Sequence, residues 1–130
     1  MSELFLTADF GTQGVRVGLV EKDGSILIDR DVAYRTRYPN PGWAVQDPRD
    51  WIKAFKSSLY YILSRISKER RKLIVACSVS ATSSTVVPID DIGCPLGEAI
   101  LWMDSRASRE EAYINASKHK VLTFCGGHVS

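Results

Sequence analysis

The sequence predicts an α/β domain that opens with an antiparallel three-stranded meander. Leu4 to Phe10 is a short, mostly apolar run, and Val15, Val17 and Leu19 then alternate with Arg16 and Gly18. Asp23-Gly24 is a strong short-range hairpin signal. Further on, Asp47-Pro48 precedes a run whose apolar residues recur at three- and four-residue steps, the pattern of a helix with one buried stripe.

Taken in order, the first two strands are joined by a tight turn at Gly11-Thr12-Gln13-Gly14. A third strand starts at about Ile26, with Ile26 and Ile28 expected on one face. Residues 36–47 carry Pro39, Pro41 and Gly42 and read as a loop. Asp47 is a natural N-cap and Pro48 suits the first helical position. Trp51, Ile52, Phe55, Leu59, Ile62, Leu63 and Ile66 form the stripe, and the charged segment Lys68 to Lys72 ends the helix as a solvated turn. Leu73 to Val79 suits a central strand covered on both faces, which makes Cys77 a small buried apolar side chain. Thr85 to Ile89 reads as a further strand, Ala99 to Trp102 as a short apolar segment, and Asp104 to about Lys118 as a helix. Val121 to Phe124 starts another element that Gly126-Gly127 breaks.

Composition excludes several classes. The 130 residues carry 17 Lys plus Arg against 15 Asp plus Glu, a net charge of +2, too weak and too interspersed to argue for nucleic acid or an anionic membrane. No run approaches the roughly 20 apolar residues of a membrane span, and the N-terminus lacks a signal-peptide layout. The three cysteines, Cys77, Cys94 and Cys125, form no CxxC pair, so a reducing cytoplasmic location is expected.

The first segment that could carry chemistry is Asp9 to Arg16. Asp9 offers a hard carboxylate for Mg²⁺ or its waters. Gly11 and Gly14 have no Cβ, so backbone N–H groups can approach an anion closely. Thr12 adds a hydroxyl, and Arg16 points away from the face of Val15 and Val17 and can reach a phosphate with several donors. The same residues also make an ordinary hairpin. GxxxxGK[ST] and GxGxxG are both missing from the sequence.

The string Asp9-x-Gly11-Thr12-x-x-x-Arg16 resembles the first phosphate motif of the FGGY carbohydrate kinases, sugar kinases of the ribonuclease-H-like, actin-like ATPase fold. Further stretches are similar to the same family in the same order: Pro41 to Pro48 (PGWAVQDP), Val79 to Pro88 (VSATSSTVVP), and Gly93-Cys94-Pro95-Leu96 through Ala99 to Arg106 (AILWMDSR). The resemblance implies ATP- and Mg²⁺-dependent phosphorylation of a sugar or polyol hydroxyl in a cleft between two domains. Asp9, Gly11, Thr12, Gln13 and Arg16 then fall on the nucleotide side, with Asp9 toward the metal, and Thr82, Ser83, Trp102 and Asp104 on the sugar side. Core packing is the rival reading for Trp102, and a helix N-cap for Asp104. Arg106 is expected to pair with a neighbouring carboxylate.

Thr82-Ser83 stand where the glycerol-kinase branch carries Arg-Glu, and Ser83-Ser84 where the xylulose-kinase branch carries Met-His. These departures count against both of those substrates and point to a ribulose- or other ketopentose-type kinase, and a ketopentose such as xylulose or ribulose is the substrate class favoured. The family's catalytic aspartate, second phosphate loop and adenosine pocket come later than residue 130. Residues 1–130 are therefore expected to be the first part of the N-terminal, sugar-binding domain, without the C-terminal domain and without a catalytic base. On that expectation they are inactive alone, and an open sheet edge or apolar surface favours self-association into homo-oligomers. The alternatives are a non-catalytic nucleotide- or sugar-binding or interaction module, and a plain structural domain.

Overall fold

The computed structural model describes residues 2–129. Its meander consists of β1 (Leu4–Phe10), β2 (Gly14–Glu21) and β3 (Ile26–Ala33), followed by a short β4 (Val45–Gln46), α1 (Pro48–Ser64), α2 (Lys68–Arg71), β5 (Ile74–Ala81), β6 (Ala99–Ile100), α3 (Ser108–Ala116) and a 3-10 turn over Lys120–Cys125. The main sheet has the order β3-β2-β1-β5, antiparallel through the meander and parallel between β1 and β5. β4 and β6 make a separate two-stranded ribbon that joins Val45 to Ile100 and Gln46 to Ala99.

The core forms where α1 lies against β2 and β3. Leu4, Ala8, Val15, Val17 and Leu19 meet Ala54, Ile62 and Ile66 there. Each large aliphatic side chain buried in this way contributes roughly 1.5–3 kcal/mol. The start of α1 follows the sequence expectation: Asp47 accepts a hydrogen bond from the Arg49 N–H at 2.9 Å, with Pro48 at the first helical position. The segment after it, expected to be a turn, winds into the single-turn helix α2, capped by the Ser67 hydroxyl.

Four further expectations change. A register shift between Leu19 and Val20 sets Ile28 opposite Leu19 and Ile26 opposite Val20, so the two isoleucines do not share a buried face and Ile26 is exposed. β5 is an edge strand in this sheet, not a central one, and α1 covers β2 and β3 instead; Val79 and Cys77 are exposed. Residues 85–89 make only the isolated bridges Val86 to Ile100 and Ile89 to Pro95, since Pro88 has no N–H to extend a ladder. The last helix starts at Ser108 with Ala107 at its N-cap and no side-chain cap bond. Among the described residues no helix is long and apolar enough to cross a membrane.

Candidate functional site

The turn between β1 and β2 is held by its carbonyl groups. Gly11 N–H donates to Gly14 O at 3.0 Å and Tyr34 N–H to Gln13 O at 3.1 Å. The Tyr34 hydroxyl donates to Gly11 O, and Gln46 Nε2 donates to Thr12 O at 2.7 Å. Burial, and after it the nearby Asp9 charge, push the Tyr34 phenol up to about 12, so it stays a donor at neutral pH. Gly14 is required by packing: a Cβ there would stand 2.8 Å from Val32 O of the neighbouring strand.

Asp9, Gly11, Gln13, Gly14, Arg16 and Asp31 line one open depression of about 380 Å³ beside this turn. Arg16 reaches Asp31 with Nε at 2.8 Å and a terminal nitrogen at 3.1 Å. This bond raises the Arg16 pKa and lowers that of Asp31. Both side chains are well exposed, so the pair adds little stability. Its effect is positional. The guanidinium is held at the rim with three of its five N–H donors still available. Among the described residues no three His, Cys, Asp or Glu side chains converge on a metal position. Of the two carboxylates in this depression Asp31 is paired with Arg16, which leaves Asp9 as a single carboxylate for Mg²⁺ held mainly through waters and phosphate oxygens.

On the other side of the turn, Thr12, Thr82, Ser83, Ser84 and Trp102 enclose an open pocket of about 400 Å³. Thr82 N–H donates to Phe10 O at 3.1 Å, which fixes this loop to the end of β1. Ser84 sits in the left-handed region at φ 61, an uncommon conformation for a residue with a Cβ. The Trp102 indole N–H donates to the Thr12 hydroxyl at 3.1 Å, and the residue is 55% exposed, so core packing does not account for it. An adjoining, mostly apolar cavity of about 360 Å³ runs between Thr12, Trp102 and the start of α1 at Trp51 and Ile52.

Nine residues were expected at the site, and Asp104 is the one that lines neither pocket. Its carboxylate is wholly buried, accepting from Ala44 N–H at 2.7 Å and from Arg106 through Nε at 2.8 Å and a terminal nitrogen at 2.7 Å. Arg106 holds the Asp104 carboxyl well below the usual carboxylate range, with help from the Ala44 N–H. The guanidinium also lies over the Trp43 ring, 3.8 Å from its centroid. Asp104 therefore ties the loop before β4 to the loop after β6. It does not cap the following helix, which begins four residues later. Arg106 pairs with a neighbouring carboxylate as expected.

Gln46 and Tyr34 were not anticipated as parts of the site. Gln46 is almost completely buried, and besides Thr12 O it donates to the Thr36 hydroxyl at 2.8 Å while its Oε1 accepts from Trp51 Nε1 at 2.8 Å. The only hint in the sequence was the place of Gln46 within the PGWAVQDP stretch.

Known proteins resemble this chain along most of its length. The profile of the FGGY family of carbohydrate kinases, N-terminal domain, matches residues 4–124. The xylulose kinase of Staphylococcus xylosus is 34% identical over 102 residues, covering 78% of this chain and 20% of that protein. The glycerol kinase of Aquifex aeolicus is 32% identical over 102 residues, with the same coverage of 78% and 20%. The crystal structure of a xyloylose kinase from Brucella ovis superposes with a TM-score of 0.82 at 27% identity, over 88% of this chain and 24% of that one. The chain spans about a fifth of the length of the curated relatives it matches. The α/β, actin-like fold expected from the motifs is thus the observed one. The chain belongs to the FGGY family of carbohydrate kinases.

Proposed function

We propose that this chain provides the phosphate-side turn and the sugar-side loop of an ATP-dependent kinase that phosphorylates a hydroxyl of a sugar or polyol, a ketopentose such as xylulose or ribulose being favoured. The observation that carries the reading is the position of Thr12, whose residue borders the sugar-side pocket while its turn borders the Asp9–Arg16 depression. Bound ATP supplies the phosphoryl group, and bound Mg²⁺ offsets its charge. The residues present fit both: Asp9 is available to hold magnesium-bound water, and Arg16 together with the Gly11–Gly14 backbone can bind anionic oxygens. On the opposite side, Thr82 and Ser83 offer short hydroxyls that both donate and accept, as a polyol requires, and Trp102 gives an apolar wall to its C–H faces. Holding the two reactants on either side of one residue is catalysis by positioning and electrostatics. The xylulose kinases among the relatives support a ketopentose; Ser83-Ser84, in place of that branch's Met-His, count against xylulose itself and favour ribulose or another ketopentose.

No residue of this chain is assigned the role of the base that deprotonates the sugar, so binding is the quantity to measure. Thermal unfolding of the chain is followed with Mg-ATP, xylulose, ribulose and glycerol. A ligand at a hundred times its Kd stabilises the native state by about 2.7 kcal/mol. Stabilisation by Mg-ATP, and by a ketopentose more than by glycerol, is expected. No shift with any of them would overturn the site assignment. Stabilisation by nucleotide and sugar, without ketopentose-dependent ADP release from a polypeptide of the relatives' length that includes this chain, would favour a non-catalytic binding module.

A further inference from the structure

We infer that Gln46 is a positioning residue for the phosphate-side turn: through Thr12 O it sets which way the peptide N–H groups of that turn face. The inference rests on the proposed role of the Gly11–Gly14 turn in holding phosphate.

A peptide unit is planar and trans, so a carbonyl fixed in one direction turns the N–H of the next residue the opposite way. The carbonyls of the turn are fixed by donors from other parts of the chain. Gly11 O accepts from the Tyr34 hydroxyl, Thr12 O from Gln46 Nε2 at 2.7 Å, and Gln13 O from Tyr34 N–H at 3.1 Å. The N–H groups of Thr12 and Gln13 are thereby directed away from Tyr34 and Gln46. Successive N–H groups presented together make an anion-binding concavity without any charged side chain. Gly14 allows the turn to lie this close to β3, since a Cβ at that position would meet Val32 O.

Gln46 suits this task because its amide is fully committed. One of its N–H groups goes to Thr12 O and the other to the Thr36 hydroxyl, while Oε1 accepts the Trp51 indole N–H from the first turn of α1. The side chain is 2% exposed, so water cannot replace these partners. Its backbone is held in turn by the β4–β6 ribbon, where Gln46 pairs with Ala99. The turn is thus registered against the helix and against the ribbon that leads to Trp102. A glutamine is required for this: a carboxylate in its place accepts from Trp51 but has no N–H for Thr12 O, and a methionine fills the volume but does neither.

The test uses this chain in solution, with backbone amide and indole N–H resonances followed while Mg-ATP or Mg-tripolyphosphate is added. In the parent protein the Thr12 and Gln13 amides shift on addition. Gln46→Met is expected to weaken the apparent Kd about tenfold or more and to diminish these shifts, as loss of a buried donor does. Trp51→Phe, which leaves both Gln46 donors in place, is expected to lower thermal stability comparably while keeping most of the affinity. Equal losses of affinity in the two variants would mean that Gln46 only stabilises the fold, and would overturn the inference. If Gln46→Met does not fold, Gln46→Glu takes its place, its Trp51 indole resonance serving as the control for an intact pocket. Undiminished binding in the Gln46 variant would overturn the inference and leave the phosphate reading standing. Thr12 and Gln13 amides that ignore both probes in the parent protein would overturn the phosphate reading, and this inference with it.

Discussion

Trp102 donates its indole N–H to the Thr12 hydroxyl at 3.1 Å, across 90 positions of sequence. The bond joins the two parts of the proposed site, because Thr12 belongs to the turn proposed to hold phosphate and Trp102 lines the pocket proposed to hold the sugar. Trp102→Phe keeps a ring but removes the donor. With the indole largely exposed, the cost in stability is expected to stay below about 1 kcal/mol. Ketopentose affinity, read by titration calorimetry, is expected to fall about tenfold, since a hydroxyl that loses its partner in a pocket costs on that scale. A large loss of stability with unchanged affinity would return Trp102 to a packing role.

Gly14→Ala tests the close approach of β2 to β3. The added methyl group meets Val32 O at 2.8 Å, and backbone oxygen cannot move aside as a flexible side chain can. Overpacking of this kind costs roughly 1–3 kcal/mol, to be read as a lower urea midpoint with an unchanged slope. At Gly11 the same methyl would stand 3.4 Å from Gly14 O, so Gly11→Ala is expected to be much milder.

Asp104 gives the fold an acid-labile joint. Arg106, and with it the Ala44 N–H, holds the folded carboxyl below its unfolded value. The resulting stabilisation is therefore complete above the unfolded pKa, about 4, and is lost as pH falls below it through the folded value. Urea midpoints measured from pH 7 to pH 3 should decline for the parent protein. In Asp104→Asn the midpoint should be lower at pH 7 and its decline shallower over the same range, since the titrating group is gone.

Asp47→Ala removes the side chain that caps α1. Loss of such a cap costs about 1 kcal/mol, or about 0.5–2 across different helices. Because α1 covers β2 and β3, the cost should appear in global unfolding measured by urea. Ser67→Ala, at the single-turn α2, should be nearly silent by the same measurement, since α2 buries none of its residues.

Local signals in the sequence were enough for the elements whose determinants are close in the chain. Asp23-Gly24 and the alternation of Val15, Val17 and Leu19 define the meander, and Asp47-Pro48 defines the start of α1. The composition of Leu73 to Val79 specifies a strand but not what lies over it, which is why Cys77 and Val79 were expected inside and are found exposed. Asp104 has the composition of a cap, yet its partner Ala44 lies 60 positions away, a pairing no window of sequence contains. Gln46 was overlooked for the same reason. Its value comes from Thr12, Thr36 and Trp51 converging on one amide, and a glutamine beside a valine gives no local sign of that.

The Asp104 clamp and the β4–β6 ribbon also have a consequence for the order in which the protein loosens. They close a stretch of about sixty residues, within which α1 and β5 are held independently by the core and by β1. The meander closes through turns of only a few residues. Opening the 99–106 segment frees only chain that follows β5, whereas opening β1 from β2 disrupts the buried core. Amide exchange in the native protein should accordingly be faster at Ile100 and Asp104 than at Leu6 or Val17. The wall of the sugar-side pocket would then be the part of the site that breathes, against a phosphate-side turn that stays closed.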